Sequence, residues 1–118
     1  LEKQAMNFSI STHGNAIVVH SHVAKLDSSN APDLKSLFLL HNKNGINQIV
    51  FEMVETMYCD SSGLSAILVA NRICKDTNGT FILCGLQSAV RKMVEIAQLD
   101  RVLSIEGNVE DALSHMNH

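Results

Sequence analysis

The chain has 118 residues, 46% of them hydrophobic and 18% charged, with 9 Lys and Arg against 12 Asp and Glu for a formal charge of −3. That length fits one domain, and surface scaling buries roughly two-thirds of the open chain's surface, so no disulfide or metal staple is required. The balance lacks the clustered cations that nucleic-acid binding needs, and apolar runs such as residues 16–19 and 66–70 fall far short of the ~20 that cross a bilayer, so neither a membrane span nor a signal peptide is expected.

Residues 1–5 lack an initiator Met, whereas Met6 precedes the first patterned segment; the domain is therefore expected at 6–118, behind a short expression remnant. Phe8 and Ile10 alternate with Asn7, Ser9 and Ser11 in the period of a half-buried strand. His13-Gly14-Asn15 supplies turn chemistry before Ala16-Ile17-Val18-Val19-His20, which predicts an opening β-hairpin. Ser28-Ser29-Asn30-Ala31-Pro32 places cap-type residues before a proline suited to a first helical turn. Leu34, Leu37, Phe38 and His41 then follow at helical spacing until Asn44-Gly45. Residues 46–53 contain the run Ile49-Val50-Phe51, short and rich in β-formers, hence a buried strand.

Asp60-Ser61-Ser62-Gly63 leads into a helical pattern over about residues 64–76, closed by Asn78-Gly79, and residues 80–84 form another buried strand. Val90, Met93, Val94 and Ala97 fall at i, i+3, i+4 and i+7, the spacing of an amphipathic helix. Val102-Leu103-Ser104-Ile105 predicts a last short strand, and Asn108 with Asp111 three positions later resembles a capping box for a terminal helix through Ala112 and Leu113. The order ββαβαβαβα, with four helices, predicts an α/β fold: a mostly parallel sheet begun by an antiparallel hairpin.

Cys59, Cys74 and Cys84 are odd in number, lack C-x-x-C spacing and sit inside apolar runs, as expected of reduced core thiols in a cytoplasmic protein. His20 and His22 would share one face of a strand, but no third ligand of suitable type stands close in sequence; they read as surface histidines, and neither metal nor cofactor is expected.

In an open α/β sheet, function gathers where strand ends feed helix starts, and the turn richest in polar groups there is Asp60-Ser61-Ser62-Gly63. Asp and Ser are what any helix N-terminus prefers, because their oxygens accept its unpaired amides. Two hydroxyls in tandem nevertheless exceed what one cap requires, and the amides with the helix dipole would tolerate a phosphate, so a phosphorylatable serine stands beside the capping reading. Enzymatic motifs are missing: there is no G-x-S-x-G elbow, no G-x-x-x-x-G-K-[ST] loop and no G-x-G-x-x-G. A receiver domain phosphorylated on Asp60 is the rival of similar size. It would need an acidic pair after the first strand and a Lys near the last, where this chain has Lys25-Leu26-Asp27 and Ser104-Ile105-Glu106-Gly107.

Tyr58-Cys59-Asp60-Ser61-Ser62-Gly63-Leu64 resembles the D-S-[ST]-G-L signature of the STAS domain, in particular the stand-alone anti-sigma-factor antagonists of bacteria, and the similarity runs from about Asn7 to His115. The resemblance implies a non-catalytic binding module that sequesters an anti-sigma factor with serine kinase activity, is switched off by serine phosphorylation and is reset by a serine phosphatase. By position in the motif the phosphoacceptor maps onto Ser61, with Asp60 shaping the turn. Where the family often reads G-E-L-D-x-x-T-A, this chain has Ala24-Lys25-Leu26-Asp27-Ser28-Ser29-Asn30-Ala31; Lys25 reverses a charge and Asn30 replaces a Thr. The same domain also serves in anion transporters and as a subunit of transport or signalling complexes; with no fused segment in this sequence, the transporter setting is not the expected one.

A helical wheel begun at Leu64 gathers Ala66, Ile67, Val69, Ala70, Ile73 and Cys74 on the expected core face. Ser65, Asn71, Arg72 and Lys75 lie opposite with Leu64 and Leu68, an apolar pair that reads either as the margin of a wide core stripe or as an exposed patch for a partner, and of which Leu64 is the one expected to tuck inward. The expected partner-facing surface is therefore Asp60, Ser61, Ser62, Ser65, Leu68 and Arg72, joined by Lys25 and Asp27 from the neighbouring loop.

Overall fold

The computed structural model describes residues 6–116; residues 1–5, read as an expression remnant, lie outside them, as do 117 and 118. Phe8–His13 (β1) and Ala16–Ser21 (β2) pair antiparallel, with His13 opposite Ala16. Gly14 takes φ +62°, the left-handed conformation that so tight a turn demands and that costs glycine least. Gln48–Glu52 (β4), Thr80–Cys84 (β6) and Ser104–Glu106 (β7) extend the sheet in the order β1-β2-β4-β6-β7, each pairing parallel with its neighbour.

Strands buried on both faces need two covering layers. Ala31–Lys43 (α1), Ser61–Asp76 (α2) and Ser88–Ile96 (α3) cover the face that carries Val19, Phe51 and Leu83 in register. Phe38 of α1 is fully buried and meets Phe51 and Phe81 edge-on, at ring-centroid separations of 5.5 and 5.7 Å. Val109–Met116 (α4) closes the other face over Ala16, Val18, Val50, Ile82 and Cys84. Asn108 caps it, its Oδ1 accepting the Asp111 amide at 2.8 Å.

The expected order holds with two additions. Lys25–Leu26 (β3) and Tyr58–Cys59 (β5) pair parallel in a separate two-stranded sheet, so seven strands replace the five expected. Two residues are too few to display a period, and their partners are remote in sequence. The last strand begins at Ser104, not Val102, because Leu99–Arg101 winds into a 3-10 turn. The cap-type Asn30 makes no side-chain cap; it braces the loop before α1, with Oδ1 accepting from the Asp27 amide (3.0 Å) and Nδ2 donating to the Lys25 carbonyl (2.9 Å).

The histidines are more ordered than a plain surface reading implies. His20 is hydrogen-bonded between Ser11 Oγ (3.1 Å) and Glu52 Oε1 (2.9 Å), and His22 between Ser9 Oγ (2.7 Å) and Glu55 Oε2 (2.9 Å). Their rings stack with centroids 6.4 Å apart, tying β1, β2 and the end of β4 together.

All three cysteines are free and buried, and burial pushes each thiol up to about 12. Iodoacetamide at pH 8 should therefore leave the native thiols unmodified and alkylate all three in urea, as read by mass spectrometry. Unfolded thiols ionise from about 9.0 while the buried ones hold their protons to about 12, so unfolding releases protons in that window and stability, intact below it, should fall as pH rises through it.

Candidate functional site

The chain reaches Asp60 along a segment fastened to β2 and β3. Thr56 is buried, donating its hydroxyl to the Val23 carbonyl (2.8 Å) and sharing a 2.6 Å hydrogen bond with Ser21 Oγ. The Met57 and Tyr58 amides donate to Ala24 O (2.8 and 3.1 Å), and the Asp60 amide donates to Leu26 O (3.1 Å). α2 then starts at once, at Ser61 and not at Leu64 as the periodicity suggests, because the apolar pattern begins one turn later than the backbone hydrogen bonding.

Asp60 is the N-cap. Its Oδ1 accepts the amides of Ser62 (2.9 Å) and Gly63 (3.1 Å), and its carbonyl accepts from Leu64 N (3.0 Å). This corrects the expectation of open amides at the helix start: the carboxylate already occupies two of the donors that would receive an anion. Gly63 is required for a steric reason. A Cβ there would stand 2.6 Å from Cys59 Sγ, 2.8 Å from Leu26 Cγ and 2.9 Å from Leu26 O, so the first turn of α2 lies directly on the β3–β5 pair.

Ser61 is exposed and Ser62 half-buried. With Ser65 they form one wall of a groove of about 330 Å³, whose other wall is Ser28, Ala31, Pro32 and Lys35 at the start of α1. Lys35 makes no ion pair among the described residues. Sequence reading missed Ser28, Pro32 and Lys35. Pro32 and Lys35 do stand at i and i+3, but which face of α1 meets α2 is not written in that spacing.

Lys25 is exposed in β3 opposite Tyr58, so the β3–β5 pair carries this loop to the start of α2. Asp27 is half-buried; the Ser29 hydroxyl (2.6 Å) and amide (2.9 Å) both donate to it and hold its carboxyl below the usual range. Farther along α2 the wheel needs correction. Leu64 is buried as expected, but so is Asn71, while Val69 and Ile73 are only half-buried. α2 packs against α1 as well as the sheet, and Asn42 Nδ2 donates to Thr77 Oγ1 (3.1 Å) where the two helices end; the buried arc is displaced toward Leu64 and Asn71, away from the side that carries Ser65, Val69 and Ile73. Leu68 is half-buried against the main core, the margin of the apolar stripe, whereas Arg72 is exposed. Neither lines the groove, and Arg72 lies about 16 Å from Ser61 along the helix.

This arrangement, a hairpin-started sheet with a serine-bearing helix start after a short strand, is that of the STAS domain: the family matches residues 7–112, and the chain belongs to it. Solved structures share the fold at low identity. TM1081 of Thermotoga maritima, described as a candidate anti-sigma factor antagonist, superposes with TM-score 0.88 at 19% identity over 94% of this chain and 95% of that one. The anti-sigma factor antagonist SpoIIAA in its unphosphorylated form gives 0.81 at 19% identity, over 93% of this chain and 96% of its own. The phosphorylated form of SpoIIAA from Bacillus gives 0.71 at 17%, over 92% and 97%.

Replacing Gly63 with Ala should lower stability by about 1–3 kcal/mol through overpacking. Asp60→Ala should cost about 0.5–2 kcal/mol as the cap is lost. Ser62→Ala, which removes no cap, should cost less than either. Urea midpoints check all three, and a loss at Ser62 equal to that at Asp60 would move the cap to the serine.

Proposed function

We propose that this STAS domain is an anti-sigma-factor antagonist that works by partner switching in the cytoplasm. It has no catalytic activity of its own. Unmodified, it sequesters an anti-sigma factor with serine kinase activity; phosphorylated on Ser61 it releases that partner, and a serine phosphatase resets it. The observation that carries this reading is the exposed Ser61 side chain at the first position of α2, lining the α1–α2 groove and within the family's D-S-[ST]-G-L signature. The fold shared with SpoIIAA, a protein solved in both phosphorylated and unphosphorylated forms, supports it.

The partner surface in this reading comprises Ser61, Ser62 and Ser65 with Lys25 and Asp27 beside them, and it extends along α2 to Leu68 and Arg72. Asp60 sets the turn from within, because its carboxylate is engaged by two amides. That engagement disfavours Asp60 as the phosphoacceptor. Among the described residues, moreover, no group of three His, Cys, Asp or Glu side chains is placed to hold a metal ion, which receiver chemistry requires. Among the described residues no helix is long and apolar enough to cross a membrane.

Phosphorylation adds about −1.5 to −2 charges at an exposed position, so the fold should survive it. Ser61→Ala should end labelling by the cognate kinase while keeping partner binding, and Ser61→Asp should abolish binding with an unchanged circular dichroism spectrum and melting temperature. Phosphopeptide mapping that puts the label on Ser62, or a Ser61→Asp chain that is unfolded, would overturn the mechanism.

A further inference from the structure

A phosphate on Ser61 meets an unusual electrostatic setting. The helix amides one and two positions on, the natural receivers of an anion at a helix start, are held by the Asp60 carboxylate. That carboxylate, one residue from the phosphorylated side chain, repels it. The phosphoryl group is thus driven away from the helix end, and the open space beside it is the groove between α1 and α2. The cation that lines this groove is Lys35, exposed and without an ion pair among the described residues. Ser28, Ser62 and Ser65 add hydroxyl donors on both walls.

We propose that Lys35 is the internal counter-ion of the Ser61 phosphate, so that modification places a bound phosphoryl group in the α1–α2 groove instead of merely adding charge to the surface. This inference rests on the reading of Ser61 as the phosphoacceptor. It differs from a generic charge switch in its consequence. The phosphoryl group takes up part of the groove of about 330 Å³, and among the described residues the cation on its walls is neutralised in the same step, so a partner group that enters the groove in the unmodified state loses its ion pair and part of its space. Asp60, Asp33 and Asp27 carry charge that opposes the phosphate, and Lys25 of β3 is the cation that competes with Lys35 for it.

Phosphoserine encoded at position 61 during translation tests this without any kinase or partner. The second phosphate ionisation, ordinarily near 6, is followed by ³¹P NMR as a function of pH. A lysine at contact distance in a water-exposed groove favours the dianion by about half a pH unit. The expected result is a titration midpoint lowered in the parent chain, raised by about half a unit in Lys35→Gln, returned by Lys35→Arg, and unmoved in Lys25→Gln. Identical midpoints in the parent and Lys35→Gln chains, or a shift seen with Lys25→Gln alone, would overturn the assignment of Lys35. Because the phosphate is installed genetically, a negative result here condemns the counter-ion, whereas failure of a kinase to label Ser61 condemns the functional reading.

Discussion

The candidate site depends on the short parallel pairing of Lys25–Leu26 with Tyr58–Cys59. Those two strands join the segment leaving β2 to the segment leaving β4, and the buried Ser21–Thr56 hydrogen bond locks the junction from beneath. α2 can begin only where Gly63 meets Leu26 and Cys59, a contact too close for any Cβ. Remove this pairing and nothing fixes the direction of the first turn of α2, or the distance between its serines and the start of α1. The site is therefore built by backbone hydrogen bonds, one buried hydroxyl pair and one missing methyl group.

Upon that platform the polar groups at the start of α2 divide between capping the helix and facing solvent. Asp60 spends its carboxylate on the helix, which stabilises the turn in every state of the protein. Ser61, one residue later, is exposed. In the proposed switch this N-cap would leave the fold indifferent to modification and withhold from the phosphate two of the amides that receive an anion at a helix start. The same division appears across the molecule: the large aromatic core of Phe38, Phe51 and Phe81 lies under α1 and α2, and the ordered histidine–glutamate pairs stand toward the β1 edge of the sheet.

Much of this was legible in one dimension. Ile49-Val50-Phe51 and residues 80–84 read as buried strands because β-formers without alternation are what a two-faced parallel strand requires. Asp60 and the serines stood out because polar residues crowd where a strand feeds a helix, and the family signature marked Ser61 within them. The two-residue strands could not be read, since their stability lies in partners distant along the chain. Lys35 escaped for a related reason: its side chain matters only once α1 is laid beside α2.

By itself the sequence determined the element order, the three buried thiols, the family and the serine at the start of α2, because each is encoded in local composition or in a contiguous motif. Tertiary structure alone decided that α2 buries Asn71 and leaves Val69 and Ile73 half-buried, that Leu68 is shared with the core, and that Lys35 faces the serines across a groove. The physical reason is common to all three. A helix has one periodicity but several neighbours, and the side on which each neighbour packs is set by nonlocal strand pairing that no single segment contains.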